Sequence, residues 1–196
     1  GKKILSHSGR PLFEFKFSIV QSAAVNAFAT PGGYVYVNQG LINLVNEESQ
    51  LAGVLAHEIA HVNSRHIADI VDKSQVLTIS TLAAIIAGAF LGGDATAAVT
   101  TFSMATASTL SLKYSREHEE EADRLGMGYM VAAGYNGQAM LDFLKIMKRY
   151  EFYSNSIPSY FLTHPGTDER IHYLDGLLQT TYTKKGADEI LGNLKR

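Results

Sequence analysis

The run His57-Glu58-Ile59-Ala60-His61 places two imidazoles and a carboxylate within five residues. On an α-helix, positions four apart lie about 40° apart around the axis, so both rings leave from one face. Rings so placed can grip a single zinc ion through one nitrogen each, with Glu58 beside it to take a proton from bound water. The chemistry this spacing points to is zinc-assisted hydrolysis, the pattern of a zinc-dependent peptidase. A chain with 7 histidines can hold such a pentapeptide by accident, so other residues have to support it.

A catalytic zinc needs a third protein ligand and one open position. Extension along the same helix to a third histidine fails, because position 64 is Ser rather than Gly and position 67 is Ile rather than His. With no cysteine in the chain, thiolate ligands are excluded and the third ligand must be Asp, Glu or another His. The best source is the acidic segment Ser115 to Asp123. Glu119 and Asp123 stand four apart on one helical face that Gly126 and Met130 continue, and a glycine there would let this helix come close to the first. One carboxylate would ligate zinc while the other accepts the free N–H of a ligating histidine. Glu120 and Glu121 read as a solvated acidic face. His118 lies about 100° around from Glu119 and should not serve the same ion. His66 falls about 180° from His57, amid Leu51, Leu55, Ile59 and Val62, so it is expected in the core or at a helix end, pointing away from the metal.

Those side chains need two packed helices and a small sheet to position them. Leu12 to Val20 alternates, with Phe13, Phe15, Phe17 and Ile19 opposite Glu14, Lys16 and Ser18, and predicts a half-buried strand. A second short strand is expected over Val25 to Ala29, then a turn at Pro31-Gly32-Gly33 and a third strand at Tyr34 to Val37. Asn46 as an N-cap, with Glu47 and Glu48 in the first turn, predicts one long helix to about Asp72. Further helices are expected over Tyr114 to Ala133, Gly137 to Phe152 and Asp168 to Gln179, with Pro158 and Pro165 as breaks. Between them, Val76 to Leu112 carries a single charge, Asp94. Two readings stay open for it: buried or groove-covering helices, which the Thr, Ser and Gly content favours, or a membrane hairpin.

The composition is that of a folded globular chain of 196 residues, with 46% hydrophobic and 18% charged residues. A formal net charge of −2 without a basic run argues against nucleic acid as a partner. The opening Gly1-Lys2-Lys3 leads into a polar stretch without the pattern of a signal peptide.

Three motifs in order carry a resemblance: His57 to His66, then Ser115-Arg116 with Glu119 and Ala122-Asp123, then Thr163-His164-Pro165 with Glu169-Arg170. Together, over about residues 25 to 175, they closely resemble the M48 metallopeptidases, which are gluzincins. The resemblance implies an α+β, mainly helical zincin-like fold with a small N-terminal antiparallel sheet, here one domain over residues 1–196, with the sheet in 1–40 and the helical zinc-bearing part in 41–180. It implies one Zn2+ per chain bound by His57, His61 and Glu119, Glu58 as base and Asp123 supporting a ligand. His164 matches a histidine that can fill the open zinc position and hold the enzyme latent in the periplasmic branch. The expected substrate is polypeptide in extended or misfolded form, and the expected setting is the periplasm or cell envelope, with membrane association left open. The helical-repeat region that some periplasmic members carry is missing, so the chain is either the protease domain of a longer protein or a smaller member. The oxyanion formed during hydrolysis needs a donor besides zinc, and His164 and Arg170 both qualify. Tyr34, Val35, Tyr36 and Val37 are expected as an exposed edge strand that pairs with substrate main chain. The rival readings are a structural-zinc scaffold of chaperone type and a membrane-integrated protease.

Overall fold

The computed structural model describes residues 1–9, 11, 13–73, 114–154 and 157–182. Val76 to Leu112, with its two readings, lies outside the described residues. After a short helix α1 (Lys2–Leu5) come strands β1 (Lys16–Val20), β2 (Ala27–Thr30) and β3 (Tyr34–Asn38), all before the main helices. Helices α2 (Gln39–Leu44), α3 (Glu48–Asn63) and α4 (His66–Lys73) follow. The remainder comprises α5 (Arg116–Ala132), α6 (Gln138–Ser154), α7 (Ser159–Thr163), α8 (Thr167–Leu177) and a π-helical turn over Leu178–Tyr182. The class is α+β and mainly helical, as the sequence predicts.

The sheet differs from expectation in direction and in order. Its strand order is β1-β3-β2, with β1 parallel and β2 antiparallel to β3, so the sheet is mixed. Tyr34, Val35, Tyr36 and Val37 therefore lie on the central strand, hydrogen-bonded on both sides, and cannot serve as the exposed edge expected of them. The tight turn explains half of this: Gly32 and Gly33 both adopt φ of +89, which folds β2 back onto β3 as a hairpin. The β1 pairing is a tertiary choice with no local signal. The first strand is also shorter than its alternation suggests. Along one face Phe15 is buried and Phe17 half-buried, while Ile19 is 69% exposed, so β1 runs out of the core.

Helix α3 is the central element. Its Ala and Leu content favours helix and its β-branched residues are scattered rather than consecutive. It is buried on nearly every side, packing against α5, α6 and β2. Ile59, Leu141, Leu144, Met127, Met130 and Met147 are among the side chains fully buried around it, each contributing about 1.5–3 kcal/mol relative to exposure. The long predicted helix breaks in two: α3 stops at Asn63, Arg65 takes the left-handed conformation with φ 58, and α4 starts afresh at His66. Helix α5 is begun by Ser115, whose Oγ accepts from the His118 backbone N–H (3.2 Å) while His118 Nδ1 accepts from the Ser115 N–H (3.4 Å).

Candidate metal centre

Helices α3 and α5 meet where Gly126 replaces a side chain with a hydrogen. A Cβ at that position would stand 3.0 Å from the His57 backbone nitrogen and 3.1 Å from its Cα. This close approach, expected from the sequence, brings Glu119 of α5 over the His57–His61 face of α3. His57, His61, Glu119 and His164 form a buried group whose ligand atoms all lie within 4.8 Å of one another, a set that could hold a metal ion.

The separations suit such an ion. His61 Nε2 lies 2.9 Å from His57 Nε2 and 3.3 Å from Glu119 Oε1. Glu119 Oε2 lies 3.4 Å from His57 Nε2, and His164 Nδ1 is 3.3 Å from that nitrogen and 3.0 Å from Glu119 Oε1. Four ligands on a tetrahedron with bonds of about 2.0–2.1 Å stand roughly 3.3–3.4 Å apart. Several buried polar atoms here have no hydrogen-bond partner: both oxygens of Glu58, Glu119 Oε2 and His164 Nε2. Carboxylate oxygens of Glu58 and Glu119 buried without a hydrogen bond fit a cation among them.

Supporting groups fix the ligands from behind. His57 Nδ1 lies 2.9 Å from Asp123 Oδ1, the arrangement expected of a carboxylate holding a ligating imidazole. Arg170, from α8, donates through Nε to Asp123 Oδ2 (2.8 Å) and through Nη2 to Oδ1 (2.7 Å). Its Nη1 stands 2.7 Å from Glu119 Oε2 as an ion pair without hydrogen-bond alignment. Arg170 thus braces the two carboxylates, and with Glu119, Arg116 and Tyr173 it also lines a cleft beside them. Of the two oxyanion donors expected from the sequence, only His164 points a nitrogen toward Glu58, with Nε2 3.4 Å from Oε1. The His164 ring stacks on Tyr160, with centroids 4.4 Å apart, and on Tyr114 at 5.2 Å.

Charge balance follows from this packing. Burial raises the Glu58 carboxyl above its ordinary value, against lowering by His164 and His57, and makes it a stronger base than an exposed glutamate. Burial also works against ionised Glu119, yet Arg170, His164 and His57 hold it well below the usual carboxylate range. Burial and Arg170 push His57 down, but Glu119 and Asp123 overcome them and raise it to about 9. His61, buried and beside His57, is held well below its ordinary value and stays neutral.

The structure corrects the placement of two residues. His66 does not point away from the cluster: its Nδ1 is 2.8 Å from His61 Nδ1. An angle of 180° from His57 holds only on one unbroken helix, and the left-handed turn at Arg65 swings His66 back. Glu121 is not a purely solvated acid, since Oε2 meets His66 Nε2 at 3.2 Å and Oε1 accepts from the Ser64 hydroxyl at 3.3 Å. His118 stays apart from the cluster, as expected, and pairs with Asp69 at 2.7 Å. Tyr114, stacked on His61 with centroids 3.8 Å apart, and Tyr160 were not found from the sequence. Only their adjacency to the Ser115-Arg116 and Thr163-His164 motifs could have flagged them.

The chain belongs to peptidase family M48, whose sequence model matches residues 1–178. It is 34% identical over 175 residues to the putative beta-barrel assembly-enhancing protease of Vibrio cholerae serotype O1, and 32% identical over 175 residues to the beta-barrel assembly-enhancing protease of Escherichia coli K12. Each alignment covers 87% of this chain but 36% of the relative, so the chain spans about a third of those proteins. The mitochondrial metalloendopeptidase OMA1 of Schizosaccharomyces pombe is 28% identical over 184 residues, covering 94% of this chain and 52% of that protein. The family implies a metal cofactor and a polypeptide substrate, and the buried His and Glu group is where a metal could bind.

Proposed function

We propose that this chain is the catalytic part of a zinc-dependent metalloendopeptidase acting on extended or misfolded polypeptides. His57, His61 and Glu119 would hold one Zn2+ per chain, and Asp123 would orient His57. The observation that carries this reading is the buried Glu58 carboxylate, free of hydrogen bonds, beside a four-donor cluster. A zinc ion held there would supply Lewis acidity for the scissile carbonyl and would let a water lose a proton near neutral pH. Glu58 takes that proton and passes it to the leaving amine. Arg170 keeps Glu119 and Asp123 ionised throughout. His164 donates from its ring to the oxyanion once it leaves the cluster. With its Nδ1 among the donor atoms, His164 would take the position that water needs, and the chain would be latent.

The central placement of β3 moves the expected substrate strand to β2, which ends the sheet among the described residues. The Asn38 N–H bonds to Asn26 O at 3.0 Å, so in this antiparallel pair Phe28 and Thr30 also bond to β3, while the main chain of Ala27 and Ala29, both buried, turns away from it. At the end of β2 an apolar cleft of about 190 Å3 is lined by Phe13, Pro31, Val62, Ile67 and Ala68, and His61 borders it. A peptide added to that edge would pair main chain to main chain.

The closed four-donor cluster favours one second reading, a structural zinc in a scaffold. Casein cleavage by Glu58→Gln separates the two. A loss of about 10²–10⁴-fold with metal content unchanged supports the peptidase; residual cleavage equal to the unsubstituted chain supports the scaffold. Ala29→Pro in the same assay should slow cleavage with metal retained, and unaltered turnover would exclude the β2 edge. Among the described residues no helix is long and apolar enough to cross a membrane. A periplasmic or cell-envelope setting is proposed from the similarity to the two bacterial proteases.

A further inference from the structure

The chain leaves α3 through Arg65, whose left-handed φ of 58 is unusual for a residue with a side chain. Its consequence is that His66, 2% exposed, lies against the back of His61. Two imidazole nitrogens, His66 Nδ1 and His61 Nδ1, stand 2.8 Å apart, and one of them must donate. The other side of the His66 ring decides which. Its Nε2 meets Glu121 Oε2 at 3.2 Å, and a carboxylate only accepts, so Nε2 carries the hydrogen. In a neutral ring Nδ1 then holds the lone pair and accepts from the Nδ1–H of His61. That leaves the lone pair of His61 on Nε2, the nitrogen turned toward Glu119 and His57. Stacking on His118, with centroids 4.5 Å apart at 21°, fixes the plane of the His66 ring, and Ser64 donates to the far oxygen of Glu121.

We infer that His66 is a positioning residue for the metal ligand His61, setting through Glu121 the tautomer in which His61 meets the ion. The site then has two back supports of different chemistry: a carboxylate, Asp123, behind His57, and an imidazole–carboxylate relay behind His61. This rests on the metal reading proposed above.

The test is Zn2+ affinity, measured by competition with a chromophoric chelator, for the unsubstituted chain, His66→Phe and His66→Asn. Phe keeps a ring against His118 but offers no acceptor, whereas the Asn Oδ1 can take the place of Nδ1. The expected result is affinity weakened about 10–100-fold by Phe and largely recovered by Asn. A purely structural role would instead lower the melting temperature of the chelator-treated protein and leave Zn2+ affinity alone. Phe within roughly twofold of the unsubstituted chain, or Asn no better than Phe, overturns the relay while the metal reading stands. An unsubstituted chain that takes up no divalent ion overturns both. Should Phe fail to fold, Glu121→Leu, at a position 45% exposed, reads the same relay: weakened binding supports it and unchanged binding overturns it.

Discussion

At the scale of single residues, the site's electrostatics make metal uptake a proton-exchange reaction. His57 is raised to about 9 by Glu119 and Asp123, against burial and Arg170, so at neutral pH a metal has to displace its proton. Apparent Zn2+ affinity should therefore climb about tenfold per pH unit and level off near pH 9. Asp123→Asn removes one of the groups that raise His57, so the plateau should begin at lower pH while the maximal affinity falls about 10–100-fold. Isothermal titration across this pH range checks both effects, and a flat profile in the unsubstituted chain would rule out protonated His57 as the competitor. These roles were legible in the sequence to different degrees. His57, Glu58 and His61 are fixed by a spacing of four on one helix, and Asp123 by the same spacing from Glu119. Arg170 was recognisable as a site residue, but its bidentate grip on Asp123 depends on where α8 docks.

At the scale of elements, the site exists because α3 and α5 touch. A methyl group at position 126 would press on the backbone of α3 at Ala56 and His57, which cannot rotate aside as a side chain could. Gly126→Ala should thus cost about 1–3 kcal/mol and move Glu119 off the two imidazoles. The expected signature is a lowered melting temperature together with weakened Zn2+ binding. Wild-type affinity in a folded Gly126→Ala protein would show that the contact does not position the ligands. The helix pair was foreseeable from Gly126 lying on the Glu119–Asp123 stripe. The break between α3 and α4 was not, because a left-handed residue at 65 is announced by Gly or Asn, and the chain has Arg there. On an unbroken helix His66 would lie on the far side from His57.

For the molecule as a whole, the buried charges couple metal binding to stability. Glu58, Glu119 and Asp123 lie buried against Arg170 and, at neutral pH, a protonated His57, and metal uptake exchanges that proton for a divalent charge. Zn2+ at about 100 times its Kd should stabilise by about 2.7 kcal/mol, a rise of roughly 5–10 °C in Tm for a chain of this size. Chelation should reverse it, and an unchanged Tm would argue against a bound metal. In the chelated protein the sign for His57 runs the other way from that of metal uptake. Its value is raised from 6.5 to about 9 on folding, so its contribution is complete below about pH 6.5 and is lost as pH rises through about 9. Donor types, their helical faces, the hairpin turn and the mainly helical class are readable from residue order, since each follows from short-range periodicity and residue chemistry. Three features come from long-range packing instead: the parallel pairing of β1 with β3, the central place of β3, and the return of His66 to brace His61. Those depend on strand pairing and on a backbone angle set by distant packing, and no residue type nearby encodes them.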